Sequence, residues 1–336
     1  MVSVTAMSLG GYPRSRYSRR LLRDLERGEV GYGHLEGELR AVAASVIGAQ
    51  LSAGLPIVVD GMIDWHDIFR PFVESWRNVT ATSLLRYFDN NFFYRIPLFT
   101  GEPEPLRQVL APRVRAFSQL ADPASLKVVI PGPLTFALMS NNKSGVSDEE
   151  LAEAIARLLA DEARAAVEAG AGAVQIDEPI LSDPEATRDQ GVLAAELASM
   201  MVKGLGATSF LAVYFYSPKR EVYEAILDAG VDYIALDYVD SPAKVEELLA
   251  SKGTGGKGLA LGVIDARSIY TDPYERVRSA VEKALKTSEV ERLVITTSTW
   301  MDLIPYRYSL KKTRLLGVYT ERLASDLGLE ADMLWR

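Results

Sequence analysis

From Ser125 onward, short β-branched runs alternate without a break with helix-length stretches. No other feature limits the fold so tightly, because continuous βα alternation builds a parallel sheet. Strands are expected at 127–130, 173–176, 210–215, 233–236, 258–263 and 293–296, with helices at 148–169, 193–204, 219–229, 242–250, 273–285 and 309–323. Two more strand candidates, 4–9 and 57–59, flank a helical stretch at 32–53. Two plus six gives the eight strands of a (β/α)8 TIM barrel. A barrel takes about 250 residues, so the remainder of the 336 is assigned to enlarged early loops between 60 and 125 and to extra N-terminal helices. A single domain over 1–336 is expected, since no linker or repeat divides the chain. An open doubly wound sheet is the alternative, but no GxGxxG follows the first strand.

Composition removes several chemistries. With no Cys, disulfides, thiol nucleophiles and thiolate zinc sites are excluded. His34 and His66 are the only imidazoles, far apart in sequence, so a metal site is not expected. A net charge of −8 argues against nucleic acid, and the lack of any apolar run of spanning length argues against a membrane protein. The first residues carry no secretory pattern, which makes a cytoplasmic location the expectation. Arg outnumbers Lys 26 to 11 and Asn and Gln number five each, a pattern that fits a thermophile. One segment runs against the overall charge: Arg14, Arg16, Arg19, Arg20, Arg23 and Arg27 face only Asp24 and Glu26. It is either a solvated helix face or a track for a small polyanion.

In a barrel, residues just past the strand ends line the mouth. Asp60, Asp177, Asp237 and Asp265 all occupy such places, with Glu178 beside Asp177. Together they could bind a cationic group or act as acids of raised pKa; singly, each could cap a helix or pair with an Arg. Pro131-Gly132-Pro133-Leu134-Thr135 turns into a helix whose first N–H groups could hold an anion. The run Tyr87-Phe88-Asp89-Asn90-Asn91-Phe92-Phe93-Tyr94, and Trp300 after the last strand, could stack a flat heterocycle or simply pack in the core.

Read in order, Leu9-Gly10-Gly11-Tyr12-Pro13-Arg14, Arg86 with the aromatic run and Pro97, Pro131 to Phe136, Val174-Gln175-Ile176-Asp177-Glu178-Pro179, Ala212-Val213-Tyr214-Phe215 and Leu261 to Arg267 resemble the cobalamin-independent methionine synthase family. The fifth and last motifs resemble its N-terminal barrel in particular. That family has two TIM barrels and transfers a methyl group from methyltetrahydrofolate polyglutamate to homocysteine. Its zinc ligands belong to the C-terminal barrel, and the matching positions here are Val213, Phe215, a place near Asp237 and residues 296–298.

The resemblance therefore implies a free-standing N-terminal-type barrel, not competent alone, that works with a separate zinc-bearing barrel. No cofactor is expected on this chain, methyltetrahydrofolate polyglutamate is the implied substrate, and zinc is implied only in the partner. Arg19, Arg20 and Arg86 fall at the family's basic positions for the glutamate tail, beside Arg14, while a Lys of that motif is replaced by Leu22. The implied substrate contacts are Arg14, Arg19, Arg20, Arg86, Asp60, Asp177, Glu178, Asp237, Asp265 and Trp300. Two other functions stay open: a metal-free enzyme akin in fold to uroporphyrinogen decarboxylase, and a folate-binding module without catalysis.

Overall fold

The computed structural model describes residues 2–31, 33–88, 90–121 and 125–334, with the side chains of 34, 35 and 125 left out. Asp89 of the aromatic run and Tyr32 at the expected helix start lie outside the described residues. In chain order the strands are β1 (Ser3–Ala6), β2 (Ile57–Val58), β3 (Trp76–Tyr87), β4 (Phe92–Pro105), β5 (Ser125–Pro131), β6 (Asn141–Asn142), β7 (Ala173–Asp177), β8 (Thr208–Val213), β9 (Tyr233–Asp237), β10 (Gly258–Ile264), β11 (Arg292–Thr297) and β12 (Glu330–Ala331).

One sheet runs β12-β1-β11-β10-β9-β8-β7-β5-β2, parallel at every ladder, and a bridge from Met7 to Ile57 brings its two ends together. The eight expected strands are its staves. Because β2 has only two residues, the seam beside β1 would be unpaired low in the barrel. There β12 fills it, Ser3 opposite Glu330 and Val4 opposite Ala331. Strand interiors are closed to water on both faces, as in Gly258–Ile264, where all seven residues are buried.

The helices between the strands start where the sequence caps them. Ser147 and Glu150 form a capping box at the head of Asp148–Glu168, whose first turn is also acidic. Thr187 and Gln190 do the same for Arg188–Val202, which places its start several residues before the expected 193. The extra N-terminal helix is Arg16–Glu26, capped by Ser15, whose hydroxyl accepts from the Ser18 amide. Its neighbour, Gly33–Ser52, leads into β2.

The early insertion is a long antiparallel hairpin, β3 with β4, joined by the short β6 in a separate three-stranded sheet. The aromatic run is its tip, with Tyr87 opposite Phe92 and Arg86 opposite Phe93. Tyr87 and Tyr94 turn inward and are buried against Phe69, whereas Leu84 and Phe93 on the other face, and Leu85 beside Tyr94, are exposed. No described helix is long and apolar enough to cross a membrane.

Candidate functional site

Alternation along a strand sends every second side chain into the barrel. Lys127 on β5 and Gln175 and Asp177 on β7 project inward and form one buried network. The Lys127 ammonium donates to the carbonyls of Ser8 (2.9 Å) and Leu9 (3.1 Å) and to the Gln175 side-chain oxygen. Gln175 Nε2 then donates to the Leu9 carbonyl (2.9 Å) and to Asp177 Oδ1 (2.7 Å). Asp177 Oδ2 accepts from Tyr214 Oη and from Trp300 Nε1, both at 3.0 Å. Burial pushes the Asp177 carboxyl up to about 7, opposed by its donors and by Lys127. Burial pulls the Lys127 amine down to about 7, opposed by Asp177. The hydrogen bonds favour the charged forms of both: three oxygens meet the three N–H bonds of an ammonium, and three donors meet a carboxylate.

Why Asp177 faces inward is written in its sequence. Asp60, Asp237 and Asp265 each spend Oδ1 on the amide two residues ahead, that of Met62, Val239 and Arg267, all at 2.9 Å. These are local Asx turns. Two residues after Asp177 stands Pro179, which has no N–H to offer. Its carboxylate is thereby left for the barrel.

The remaining members of the expected ring are placed elsewhere. Asp60 and Asp64 bind Arg113, with Asp60 Oδ2 at 2.6 Å from Nη2, and the guanidinium lies over the Trp65 ring. Asp237 is buried and held well above the ordinary carboxylate range by burial and by neighbouring Asp240, which pairs with Arg267. Glu178 reaches the helix that follows Pro131-Gly132-Pro133. Its Oε1 accepts from the Leu134 amide (3.0 Å), and its Oε2 from the Thr135 amide (2.8 Å) and hydroxyl (2.6 Å). Burial raises Glu178 to about 7 against these donors. The helix terminus expected to hold an anion thus holds the chain's own carboxylate, and Gly132 makes room for it: a Cβ there would lie 2.0 Å from the Glu178 carboxyl carbon.

Above Asp177 a pocket opens at the mouth, lined by Arg14, Trp65, His66, Tyr214, Trp300 and Asp302, with the hairpin tip as a further wall. Gly10 and Gly11 seat two of these groups. A Cβ on Gly10 would stand 2.1 Å from Trp300 Nε1, and one on Gly11 2.9 Å from Asp302 Oδ1. Phe215 packs on Tyr214, Phe88 and Phe92 at centroid distances of 4.8, 5.4 and 6.2 Å. It does so from a left-handed backbone conformation, φ 80°, that a bulky residue adopts only under constraint from its surroundings.

Of the expected contacts, Arg14 and Trp300 line this pocket and Asp177 lies beneath it. Arg19 and Arg20 are exposed on Arg16–Glu26, Arg86 is exposed on β3, and Leu22 is buried. Sequence reasoning passed over Lys127, Gln175 and Asp302. The first two carry a usable signal, a polar residue inside an otherwise apolar strand. Among the described residues no group of three or more His, Asp or Glu could hold a metal ion.

The profile of the cobalamin-independent synthase N-terminal domain matches residues 70–289. A protein named methionine synthase from Sulfolobus acidocaldarius is 22% identical over 307 residues, 90% of this chain and 87% of that protein. The 5-methyltetrahydropteroyltriglutamate–homocysteine methyltransferase of Streptococcus thermophilus is 25% identical over 233 residues, 68% of this chain. The chain spans only 30% of that relative's length. Among solved structures, a B12-independent methionine synthase from Shewanella in complex with selenomethionine superposes with a TM-score of 0.81 over 96% of this chain and 98% of its own, at 19% identity. That likeness shows the fold.

Proposed function

Because the chain belongs to the family of the cobalamin-independent synthase N-terminal domain, we propose that it binds methyltetrahydrofolate polyglutamate at its barrel mouth and takes part in methyl transfer to homocysteine. The observation that carries this reading is contiguity. The aromatic pocket ends at Arg14, and the helix that starts at Arg16, immediately beyond it, displays Arg16, Arg19, Arg20 and Arg23 to solvent. A flat head group between rings and a chain of carboxylates along guanidinium groups match those two surfaces.

The thiolate of homocysteine needs activation, which zinc supplies in a Cys-containing barrel. The residues here do not fit zinc: the sequence has no Cys, and Val213 and Phe215 are buried apolar side chains. The reading therefore includes a separate zinc-bearing barrel, with this chain contributing binding and orientation. Titration of mono- and triglutamyl methyltetrahydrofolate into wild type and into Arg19→Ala/Arg86→Ala tests the tail track. Exposed pairs give about 0.2–1 kcal/mol each, so the longer tail gains about tenfold only if several act together, and less at high salt. Equal affinity for both tails at low salt returns the segment to a solvated face. Homocysteine methylation that appears only when a zinc-bearing barrel is mixed in supports the partner.

A second reading, a metal-free acid–base enzyme, is favoured by the Lys127–Gln175–Asp177 network. Turnover by the isolated chain that is lost in Asp177→Asn would select it.

A further inference from the structure

Buried polar atoms in folded proteins are almost always paired, so those that are not point to a missing partner. Four side chains of the mouth pocket carry such atoms: Trp65 Nε1, Tyr87 Oη, Thr299 Oγ1 and Asp302 Oδ1 are buried without a hydrogen-bond partner. The other carboxylate of the pocket, Asp67, is fully engaged. Its Oδ1 accepts from the Phe69 and Arg70 amides at 2.9 and 2.8 Å, and its Oδ2 from the Arg95 amide at 3.2 Å. Asp177 below is likewise occupied by Gln175, Tyr214 and Trp300. Asp302 is thus the carboxylate of the pocket with an acceptor still to spend.

The backbone has been shaped around it. Gly11 leaves the space that lets Asp302 Oδ1 approach within 2.9 Å of where a Cβ would stand, and neighbouring Gly10 does the same for the Trp300 ring. Arg14 lies on the same pocket and lowers the carboxyl, whereas burial, the larger effect, raises it to about 6.

We propose that Asp302 is the specificity residue of this pocket and accepts from an N–H donor of the ligand, with aromatic walls selecting a flat group. A carboxylate buried without a donor is unfavourable, and a ligand N–H or ammonium relieves that while a ligand carboxylate or ether does not. The donor can be a ring N–H of the folate or the ammonium of the amino acid. The choice of those two probes rests on the function proposed above, but the site itself does not.

Calorimetric titrations of wild type, Asp302→Asn and Asp302→Ala with three separate probes, methyltetrahydrofolate triglutamate, homocysteine and benzamidine, separate the cases. Benzamidine is flat and carries amidinium N–H donors, so it reads the site without assuming a folate. Whichever probe uses Asp302 is expected to lose at least tenfold in affinity in both variants, with circular dichroism showing that they remain folded. Benzamidine weakened tenfold in the variants while the folate and homocysteine fail to bind wild type keeps the site and removes the folate reading. Wild-type affinities retained within twofold in both variants, or no binding of any of the three to wild type at millimolar concentration, overturns the inference and leaves Asp302 as a site for water.

Discussion

Replacing Gly10 by Ala puts a methyl group where the Trp300 indole lies, and the structure sets the size of the conflict. The new Cβ would stand 2.1 Å from Nε1, 2.2 Å from Cδ1 and 2.7 Å from Cε2. Ordinary contact is about 3.5 Å, so the ring must move by roughly 1.4 Å. Nε1 now donates to Asp177 Oδ2 at 3.0 Å, and a shift of that size takes the pair out of range or out of line. A hydrogen bond to a charged group contributes about 1.5–3 kcal/mol, whereas Gly→Ala restricts the unfolded chain and returns about 0.4–1 kcal/mol. The expected net loss is about 1–2 kcal/mol, or roughly 1.5–3 °C in Tm for a chain of this size. Thermal melts followed by circular dichroism measure it against Gly37→Ala, an exposed helical glycine with nothing near its Cβ position, which should be neutral or stabilising. In a Trp300→Ala background the Gly10→Ala penalty should vanish, because the clash is with that ring. A Gly10→Ala protein that melts with Gly37→Ala, or a penalty that survives in the Trp300→Ala background, refutes the argument.

Other substitutions separate structural from ligand-facing carboxylates. Asp60→Ala leaves Arg113 with Asp64 alone and should lower stability by about 1.5–3 kcal/mol in chemical denaturation, with ligand affinity of the folded protein retained. Glu178→Gln turns an amide toward the donors of Leu134 and Thr135 and should destabilise by about 1–3 kcal/mol; a wild-type melting curve would mean the helix terminus does not depend on the carboxylate. Burial raises folded Asp302 to about 6, above the unfolded value of about 3.9, so the native state gives up stability as pH rises from about 4 through 6. Asp302→Asn removes that titration, and its advantage in Tm over wild type should widen across this interval and level off above it. A gap that stays constant with pH contradicts the burial argument.

The barrel was legible because its strands announce themselves as apolar runs with helices between them, and the capping residues fix where the helices start. Thr187 with Gln190 is such a signal, and attending to it moves the start of that helix to Arg188. The hairpin was harder. β3 is largely exposed along its length, so neither face carries the alternation that marks a half-buried strand. Four Asp residues at strand ends look equivalent when only their positions are counted. What distinguishes Asp177 is Pro179, which denies it the turn that Asp60, Asp237 and Asp265 make. Asp302 gives no local sign, because its significance comes from Gly11, some 290 residues away in the chain.

The seam strand has a consequence for how the molecule can be held. Residues 330–331 pair with the first residues of β1, and the Leu334 amide donates to the Gly54 carbonyl, so both ends of the described chain lie on the floor of the barrel, opposite the mouth. A tether at either end presents the pocket outward, which suits immobilised binding measurements. A second barrel fused there and required to face the mouth must first climb the wall. At about 3.3 Å per extended residue, the seven-residue length of β10 alone amounts to roughly 20 Å, so a connector of fewer than about six residues could not carry it to the rim.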